Sequence, residues 1–194
     1  KLTAKALEQA ITPKSKAIIF PYPNNPTGAI MTKEEMAELV DVIVKNDLLV
    51  ISDEIYAELT YTKQSHTSIA TLDKMRERTV VINGFSKAFA MTGWRIGYLA
   101  APKDVAKAID SFQSHATSNA SSISQYATLE ALNSPEEEMN KMVAIFDGRR
   151  AKLLKLIAEI DGVSAIEPDG AFYVMLVIGG LFGGPLGAVI GGGL

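Results

Sequence analysis

Residues 48–56 read Leu-Leu-Val-Ile-Ser-Asp-Glu-Ile-Tyr, an apolar run that ends abruptly in polar and charged side chains. The apolar part is short and does not alternate with polar residues, which is typical of a parallel strand covered by helices on both faces. Three other runs have the same character, at residues 17–20, 79–83 and 96–101. With a strand at 48–52, these runs predict an α/β domain built on a mostly parallel sheet.

Helix signals separate and follow these strands. Thr32-Lys33-Glu34-Glu35 is a capping box, and the helix that it opens carries Met36, Leu39, Val40 and Ile43 on one face. A second start signal is Ser134-Pro135-Glu136-Glu137, which predicts Ser134 as N-cap and Pro135 as first helical residue of a long helix ending at Gly162. We expect this helix to bridge two domains. Runs at 163–166 and 171–177 predict strands that begin a small α+β domain.

Composition narrows the classes of function. The chain has 194 residues, 47% of them hydrophobic, and a formal net charge of −3. No cysteine is present, and His66 and His115 are the two histidines, so we expect no metal site. Lys and Arg form no basic stripe, which argues against a nucleic-acid partner. The sequence starts without Met or an apolar signal core, so we expect a cytoplasmic protein and a piece of a longer chain.

The last part of the sequence is unusual. No charged residue occurs from Gly170 to Leu194, and the last 18 positions hold eight glycines, several of them at every fourth residue. One interpretation is a transmembrane helix with a small-xxx-small face, although Gly-Gly pairs and Pro185 weaken a helix here. A buried strand followed by a flexible glycine-rich stretch is another. We favour a third, that residues 177–194 are an altered or truncated end.

Polar clusters directly follow three of the predicted strands. They are the loop at 21–28, which contains Asn24, Asn25, Pro26, Thr27 and Gly28; the segment Asp53-Glu54-Ile55-Tyr56; and the segment Asn83-Gly84-Phe85-Ser86-Lys87. Carboxyl ends of parallel strands form the ligand crevice of open α/β sheets. Each cluster alone also has an ordinary interpretation, respectively a turn, a helix N-cap by Asp53, and a surface lysine. Because all three clusters follow strands of the same predicted sheet, together they predict a ligand-binding site.

The side chains suit an aldehyde cofactor with a pyridine ring. A lysine amine with apolar neighbours, such as Lys87, can form a Schiff base with an aldehyde. Asp53 could keep the ring nitrogen protonated, as such a ring needs to withdraw carbanion charge. Asn25 and Tyr56 could donate hydrogen bonds to an ionised ring oxygen. Arg95 could hold the cofactor phosphate, with the Ser86 hydroxyl as a weaker ligand.

Three motifs in order and register carry a resemblance to a known family. They are Asn24-Asn25-Pro26-Thr27-Gly28, Ser52-Asp53-Glu54-Ile55-Tyr56, and Ser86-Lys87 followed by Met91-Thr92-Gly93-Trp94-Arg95-Ile96-Gly97. Over residues 17–175 the sequence resembles the pyridoxal-phosphate-dependent class I aminotransferases, in the bacterial and archaeal branch that includes the aspartate, aromatic and aminotransferase A groups. The resemblance implies residues 1–133 as part of a cofactor-binding large domain, 134–162 as an interdomain helix, and 163–176 as the start of the small domain.

The resemblance also implies a site and an activity. Lys87 would bind pyridoxal 5'-phosphate and shuttle the proton, Asp53 would pair with the ring nitrogen, Asn25 and Tyr56 would contact the ring oxygen, and Arg95 would bind the phosphate. Substrates would be an amino acid and a 2-oxo acid, and the enzyme a homodimer with a shared site. The family's phosphate-binding glycine turn and carboxylate-binding arginine do not occur here, so we expect this chain alone to be catalytically incomplete.

Other functions stay open at this point. The same scaffold supports β-elimination and decarboxylation, which use the same cofactor. The chain could also be a non-catalytic remnant that keeps the cofactor fold, although a remnant has no chemical need for Lys87, Asp53 and Arg95 together. A membrane-attached protein is a third alternative, and it rests on the C-terminal segment alone.

Overall fold

A computed structural model describes residues 1–63 and 65–178, together with the backbone of 188–193. The larger sheet has four strands in the order β1 (Ala17–Pro21), β2 (Leu49–Asp53), β3 (Thr79–Gly84) and β4 (Gly97–Ala100). The first three strands are parallel, and β4 is antiparallel to β3. The prediction of an α/β fold with a mostly parallel sheet is therefore confirmed.

Five α-helices lie within the described ranges: α1 (Ala4–Ala10), α2 (Lys33–Lys45), α3 (Lys103–Ala116), α4 (Ser122–Asn133) and α5 (Glu136–Ala158). The capping box at α2 forms as predicted. The Glu35 N–H donates to Thr32 Oγ1 at 3.2 Å, and the Thr32 N–H donates to Glu35 Oε2 at 2.8 Å. Because these bonds are local, the sequence pattern alone is enough to specify them.

The main core lies on one face of the larger sheet. Phe20 and Val50 point to this face and pack with Met36, Leu39 and Ile43 of α2. The opposite face is open, and Ile19 is 73% exposed. The expectation that helices cover both faces of these strands is thus wrong for the described residues, because α1 and α2 pack into the same cluster on one side.

Strand β4 also departs from expectation. All four of its residues are exposed, whereas the apolar run at 96–101 suggested a buried parallel strand. Residues 85–96 connect β3 to β4 without an α-helix. A chain that returns without a crossover helix pairs antiparallel with the strand that it has just left.

The start and end of α5 correct two predictions. Ser134 is the C-cap of α4, where its hydroxyl donates to the Glu130 carbonyl at 3.0 Å. Pro135 therefore takes the N-cap position of α5 and forms no side-chain capping bond. The helix ends at Ala158 rather than Gly162, which has a φ of 76° in the turn that follows. Only Ser134 and Pro135 separate the two helices. The Ser134 hydroxyl bonds to the end of α4 and therefore does not cap the start of α5.

The second sheet is antiparallel, in the order β5 (Val163–Ile166), β6 (Tyr173–Ile178) and β7 (Ala188–Gly193). Strand β6 begins two residues later than predicted because Ala171 has a φ of 57°, in the left-handed region. The helical interpretation of the glycine-rich segment is wrong for 188–193, while 179–187 and 194 lie outside the described residues. None of the described helices has the length and apolarity needed to cross a membrane. The domain boundaries stay predictions.

Three loops join the two sheets, and we call this the three-loop junction: residues 24–28, 59–61 and 168–171. The N–H groups of Asp169 and Gly170 donate to the Gly28 carbonyl at 3.0 and 2.8 Å. The Ala171 N–H donates to the Leu59 carbonyl at 2.8 Å, and the Tyr61 N–H donates to the Asp169 carbonyl at 2.8 Å. The loops after β1 and β2 are thereby bonded to the loop that precedes β6.

Gly28 is the tightest point of the three-loop junction. Its φ is 69°, and a Cβ at this position would lie 2.2 Å from the Cβ of Pro168. We expect Gly28→Ala to lower the free energy of unfolding by about 2–4 kcal/mol, because strain and overpacking add. The measurement is urea unfolding of the 194-residue chain.

Gly148→Ala provides the matched control. Gly148 lies within α5, and a Cβ there would have no neighbour within 4 Å. Alanine should therefore raise the free energy of unfolding, by about 0.5–1 kcal/mol from helix propensity. A Gly28→Ala chain as stable as the unaltered one would contradict the close packing of the junction.

Candidate active site

The polar clusters share one edge of the larger sheet. Pro21, Asp53 and Ile82 are register partners across β1, β2 and β3, so the carboxyl ends of the three parallel strands are level. Asn25 follows the end of β1, Asp53 ends β2, and Lys87 follows the end of β3. The structure therefore brings the three clusters to the same edge, as their positions after the strands predicted.

Tyr56 lies at the centre of this group and is 5% exposed. Its hydroxyl oxygen is 2.8 Å from that of Tyr173, and it also has a side-chain hydrogen bond with Asn25. Burial raises the pKa of Tyr56 most, the hydrogen bond with Tyr173 raises it further, and the bond with Asn25 opposes these effects in part. The phenol is consequently protonated at neutral pH and has one hydrogen to donate.

Lys87 lies beside Tyr56 in the turn that follows β3. Its Nζ is 5.8 Å from the centre of the Tyr56 ring and 5.2 Å from that of the Phe172 ring. Among the residues whose contacts are described, none forms a hydrogen bond or ion pair with this amine. Aromatic faces attract a cation without holding its N–H groups in directed bonds. The amine is therefore held in place yet available to a ligand.

The backbone of the lysine turn is held by apolar packing. Phe85 is buried, and its ring centre lies 5.5 Å from that of Phe89 and 5.7 Å from that of Tyr98. The Met91 N–H donates to the Phe85 carbonyl at 3.3 Å. This packing explains why the lysine stands in an apolar stretch of sequence, since the neighbouring side chains fix the turn.

Asp53 combines a local bond with an electrostatic effect. Its Oδ1 accepts a hydrogen bond from the Ile55 N–H at 3.2 Å. One oxygen of Asp53 therefore caps the following backbone as predicted, although that backbone forms a turn and not a helix. The Asp53 charge is also among the causes that raise the pKa of Tyr56. Asp53 is half-buried, and a ligand at the strand edge can reach it.

Ser86 and Arg95 form the outer part of the candidate site. The Arg95 Nη1 donates to the Thr92 carbonyl at 2.7 Å, and the Thr92 hydroxyl donates to the Ser86 carbonyl at 3.0 Å. These bonds fold residues 86–95 into a compact loop with an exposed guanidinium. Among the described residues, Arg95 forms no hydrogen bond, ion pair or ring contact with Lys87 or Tyr56, so its role at a phosphate stays a prediction.

A buried network beneath Asp53 escaped the sequence analysis. Glu54 is 5% exposed. Its carboxylate accepts hydrogen bonds from the Ser52 hydroxyl at 2.9 Å and the Ser68 hydroxyl at 2.6 Å. The Nε2 atom of His66 lies 2.9 Å from the same carboxylate. Burial alone would raise the pKa of Glu54, but the bonds with His66 and Ser68 outweigh it and lower the pKa. The network binds residues 66–68 to the end of β2 and so supports the segment from Asp53 to Tyr56.

Phe172 and Tyr173 are the other residues that were missed. Both directly follow the three-loop junction, where the Phe172 ring contacts the Lys87 amine and the Tyr173 hydroxyl contacts that of Tyr56. Phe172 also stacks on Phe146 of α5, with ring centres 5.6 Å apart. The sequence Gly170-Ala171-Phe172-Tyr173 was a signal, because two aromatic residues directly follow a glycine loop. It did not indicate which site they enter.

Comparison with known proteins settles the family. The family model "Aminotransferase class I and II" matches residues 1–181. The chain belongs to this aminotransferase family. It is 46% identical over 175 residues to an aspartate aminotransferase of Bacillus subtilis, a match that covers 90% of this chain and 44% of the relative. It is 44% identical over 194 residues to a probable aspartate/prephenate aminotransferase of Rhizobium leguminosarum, covering 98% and 48%.

Solved aminotransferase structures share the fold of this family member. The aspartate aminotransferase from Rhizobium meliloti superposes with a TM-score of 0.91 at 36% identity, covering 97% of this chain and 48% of that one. The aromatic aminotransferase from Pyrococcus horikoshii gives 0.88 at 40% identity, covering 92% and 48%. The chain thus spans about half the length of the aminotransferases that it matches.

Membership of the aminotransferase family implies pyridoxal phosphate as cofactor, and the side chains at the sheet edge fit that molecule. An amine without a hydrogen-bond partner among the described residues suits its aldehyde. A carboxylate, a protonated phenol and an amide suit its ring nitrogen and ring oxygen. No group of three or more histidine, cysteine, aspartate or glutamate side chains in the described ranges could hold a metal ion.

Proposed function

We propose that this chain belongs to an enzyme that transfers an amino group between an amino acid and a 2-oxo acid with pyridoxal 5'-phosphate. The observation that carries the proposal is the Lys87 amine, which lies against the rings of Tyr56 and Phe172 without a hydrogen bond or ion pair from any described residue. Its relatives are named aspartate, aspartate/prephenate and aromatic-amino-acid aminotransferases, which supports amino transfer over elimination or decarboxylation.

Each residue has a role in this proposal. When bound, pyridoxal phosphate supplies a cationic ring that withdraws electrons from the substrate α-carbon. Lys87 would bind the aldehyde; once the substrate amine has displaced it there, the freed Nζ would carry the proton removed from the substrate α-carbon. Asp53 holds the proton on the ring nitrogen.

The remaining residues bind the rest of the cofactor. Tyr56 and Asn25 donate hydrogen bonds to the ring oxygen, whose negative charge they stabilise. Arg95 and the Ser86 hydroxyl bind the phosphate, for which a guanidinium provides two parallel N–H donors.

The proposal also covers the domain organisation of the chain and the oligomeric state of the enzyme. Residues 1–133 form part of the cofactor-binding large domain, 134–162 contain the interdomain helix, and 163–176 begin the small domain. The antiparallel sheet that starts at Val163 supports a separate unit there. We propose a homodimer with a shared site as the working form, as the resemblance implies.

A product assay tests the proposed reaction. Because the chain matches 44% of the Bacillus subtilis aspartate aminotransferase, residues 1–178 can replace the matching segment of that enzyme. We expect the grafted enzyme to form a new amino acid only when a 2-oxo acid acceptor is present. Release of ammonia or carbon dioxide without an acceptor would indicate elimination or decarboxylation instead. The 194-residue chain alone, assayed in parallel, should show no useful turnover.

A further inference from the structure

Tyr173 makes a contact that the proposed function does not yet use. Its hydroxyl oxygen is 2.8 Å from that of Tyr56, although the two residues are 117 positions apart. The ring centres are 5.8 Å apart and nearly perpendicular, with an interplanar angle of 82°. Tyr173 is the first residue of β6, so the contact connects the second sheet with the edge of the larger one.

The number of hydrogens in this contact limits what Tyr56 can do. A phenol has one hydrogen to donate and can accept two hydrogen bonds. If Tyr56 donated to Tyr173, it would have no hydrogen left for a cofactor. In the proposed function Tyr56 donates this hydrogen to the ring oxygen, so the hydrogen between the two phenols, whose oxygens are 2.8 Å apart, comes from Tyr173. Asn25 can donate its amide hydrogen to the same oxygen. The hydrogen of Tyr56 then points away from both partners.

We infer that Tyr173 is a positioning residue, which donates to Tyr56 and so directs the Tyr56 hydrogen toward the cofactor bound at Lys87. The inference rests on the proposed function. Tyr173 itself touches neither Lys87 nor, in this proposal, the cofactor, and it acts through Tyr56 alone. Its own position is fixed by the three-loop junction, where the preceding Ala171 donates to Leu59 and accepts from the Tyr61 hydroxyl.

The arrangement makes the site sensitive to the position of the second sheet. A hydrogen bond between two hydroxyl groups weakens steeply beyond about 3 Å, so a small displacement of β6 would release Tyr56. Tyr56 would then rotate its hydrogen among several acceptors. The cofactor oxygen would lose an aligned donor without any change in the residues that touch it.

The test is the pH dependence of the absorbance of pyridoxal phosphate bound to the 194-residue chain. A hydrogen bond donated to the ring oxygen favours its ionised form, so the bound cofactor loses its proton at lower pH. Tyr173→Phe keeps both ring contacts and removes the hydroxyl alone. We expect it to raise the midpoint by about half a pH unit, as for the partial loss of one aligned bond.

Two further variants make the test specific. Tyr56→Phe should raise the midpoint further, and adding Tyr173→Phe to it should produce no additional shift, because Tyr173 acts only through Tyr56. Tyr126→Phe is the matched control. It removes a phenol hydroxyl from a tyrosine of α4 that is 76% exposed and has no assigned role, and it should leave the midpoint unchanged.

The outcomes separate this inference from the proposed function. A midpoint that shifts in Tyr56→Phe but not in Tyr173→Phe would overturn the inference and leave the proposed function standing. Additive shifts in the double variant would also overturn it, because Tyr173 would then act independently. If added pyridoxal phosphate shows no pH-dependent bound absorbance in the unaltered chain, the proposed function fails for this chain and the inference fails with it.

Discussion

Replacing Lys87 with alanine is expected to reduce amino transfer by the grafted enzyme at least ~10⁴-fold, since one side chain supplies both the covalent attachment and the proton transfer. The structure favours this residue because its amine lies between two aromatic rings, where no other lysine of the described residues has a ring contact. Alanine removes the amine and leaves the packing of Phe85 intact. The measurement is the rate of amino acid formation with a saturating 2-oxo acid.

Reduction with borohydride locates the attachment point directly. In the unaltered chain treated with pyridoxal phosphate, the added mass should map to the peptide that contains Lys87, and it should disappear in Lys87→Ala. Lys107→Ala serves as the control, because Lys107 is an exposed lysine of α3 that has no assigned role. Added mass on another lysine, with Lys87 unmodified, would refute the assignment.

Asp53→Asn should slow the removal of the substrate α-proton by ~10³-fold or more while much of the cofactor stays bound. An amide has no negative charge to hold a proton on the ring nitrogen, so the ring would withdraw electrons less strongly. Asparagine keeps an oxygen that can accept the Ile55 N–H, so the turn after β2 should persist. The loss should therefore appear in kcat and in the deuterium isotope effect at the α-carbon.

The matched control for this change is Asp47→Asn. Asp47 is 96% exposed in its side chain and pairs with Arg78 far from the strand edge, so the same chemical change should leave turnover within a factor of about two. Near-normal turnover in Asp53→Asn would leave that residue as a turn cap only. If Asp53→Asn lost the cofactor instead of slowing α-proton removal, the charge argument would also be contradicted, because Asp53 would then act in binding.

Local signals explain which parts of the fold could be predicted. The capping box of α2 involves residues three positions apart, and the apolar runs of β1 to β3 lie in continuous sequence. Strand ends that are level in a parallel sheet then bring Asn25, Asp53 and Lys87 to one edge. That step needs only the sheet topology, so the composition of the site followed from the order of motifs along the chain.

The remaining features depend on contacts that no local pattern records. The bond between Tyr56 and Tyr173 joins residues 117 positions apart, and neither neighbourhood indicates its partner. Ser134 carried a good N-cap signal for α5, but the hydroxyl is used by the end of α4. His66 looked like an isolated polar residue until the buried Glu54 was found beside it. In each case a second segment decides between two uses of the same side chain.

The three-loop junction also sets the order in which a newly made chain can acquire its site. Synthesis proceeds from the N-terminus, and domains generally fold as their segments emerge. Residues 1–100 contain the four described strands of the larger sheet, whereas the Tyr61 hydroxyl bonds to Ala171, which lies 110 positions later. Until then Lys87 lacks Phe172, and Tyr56 lacks Tyr173. During translation, therefore, the larger sheet can form before the candidate site is complete. The cofactor can bind to the completed site only after residues 171–173 have been made.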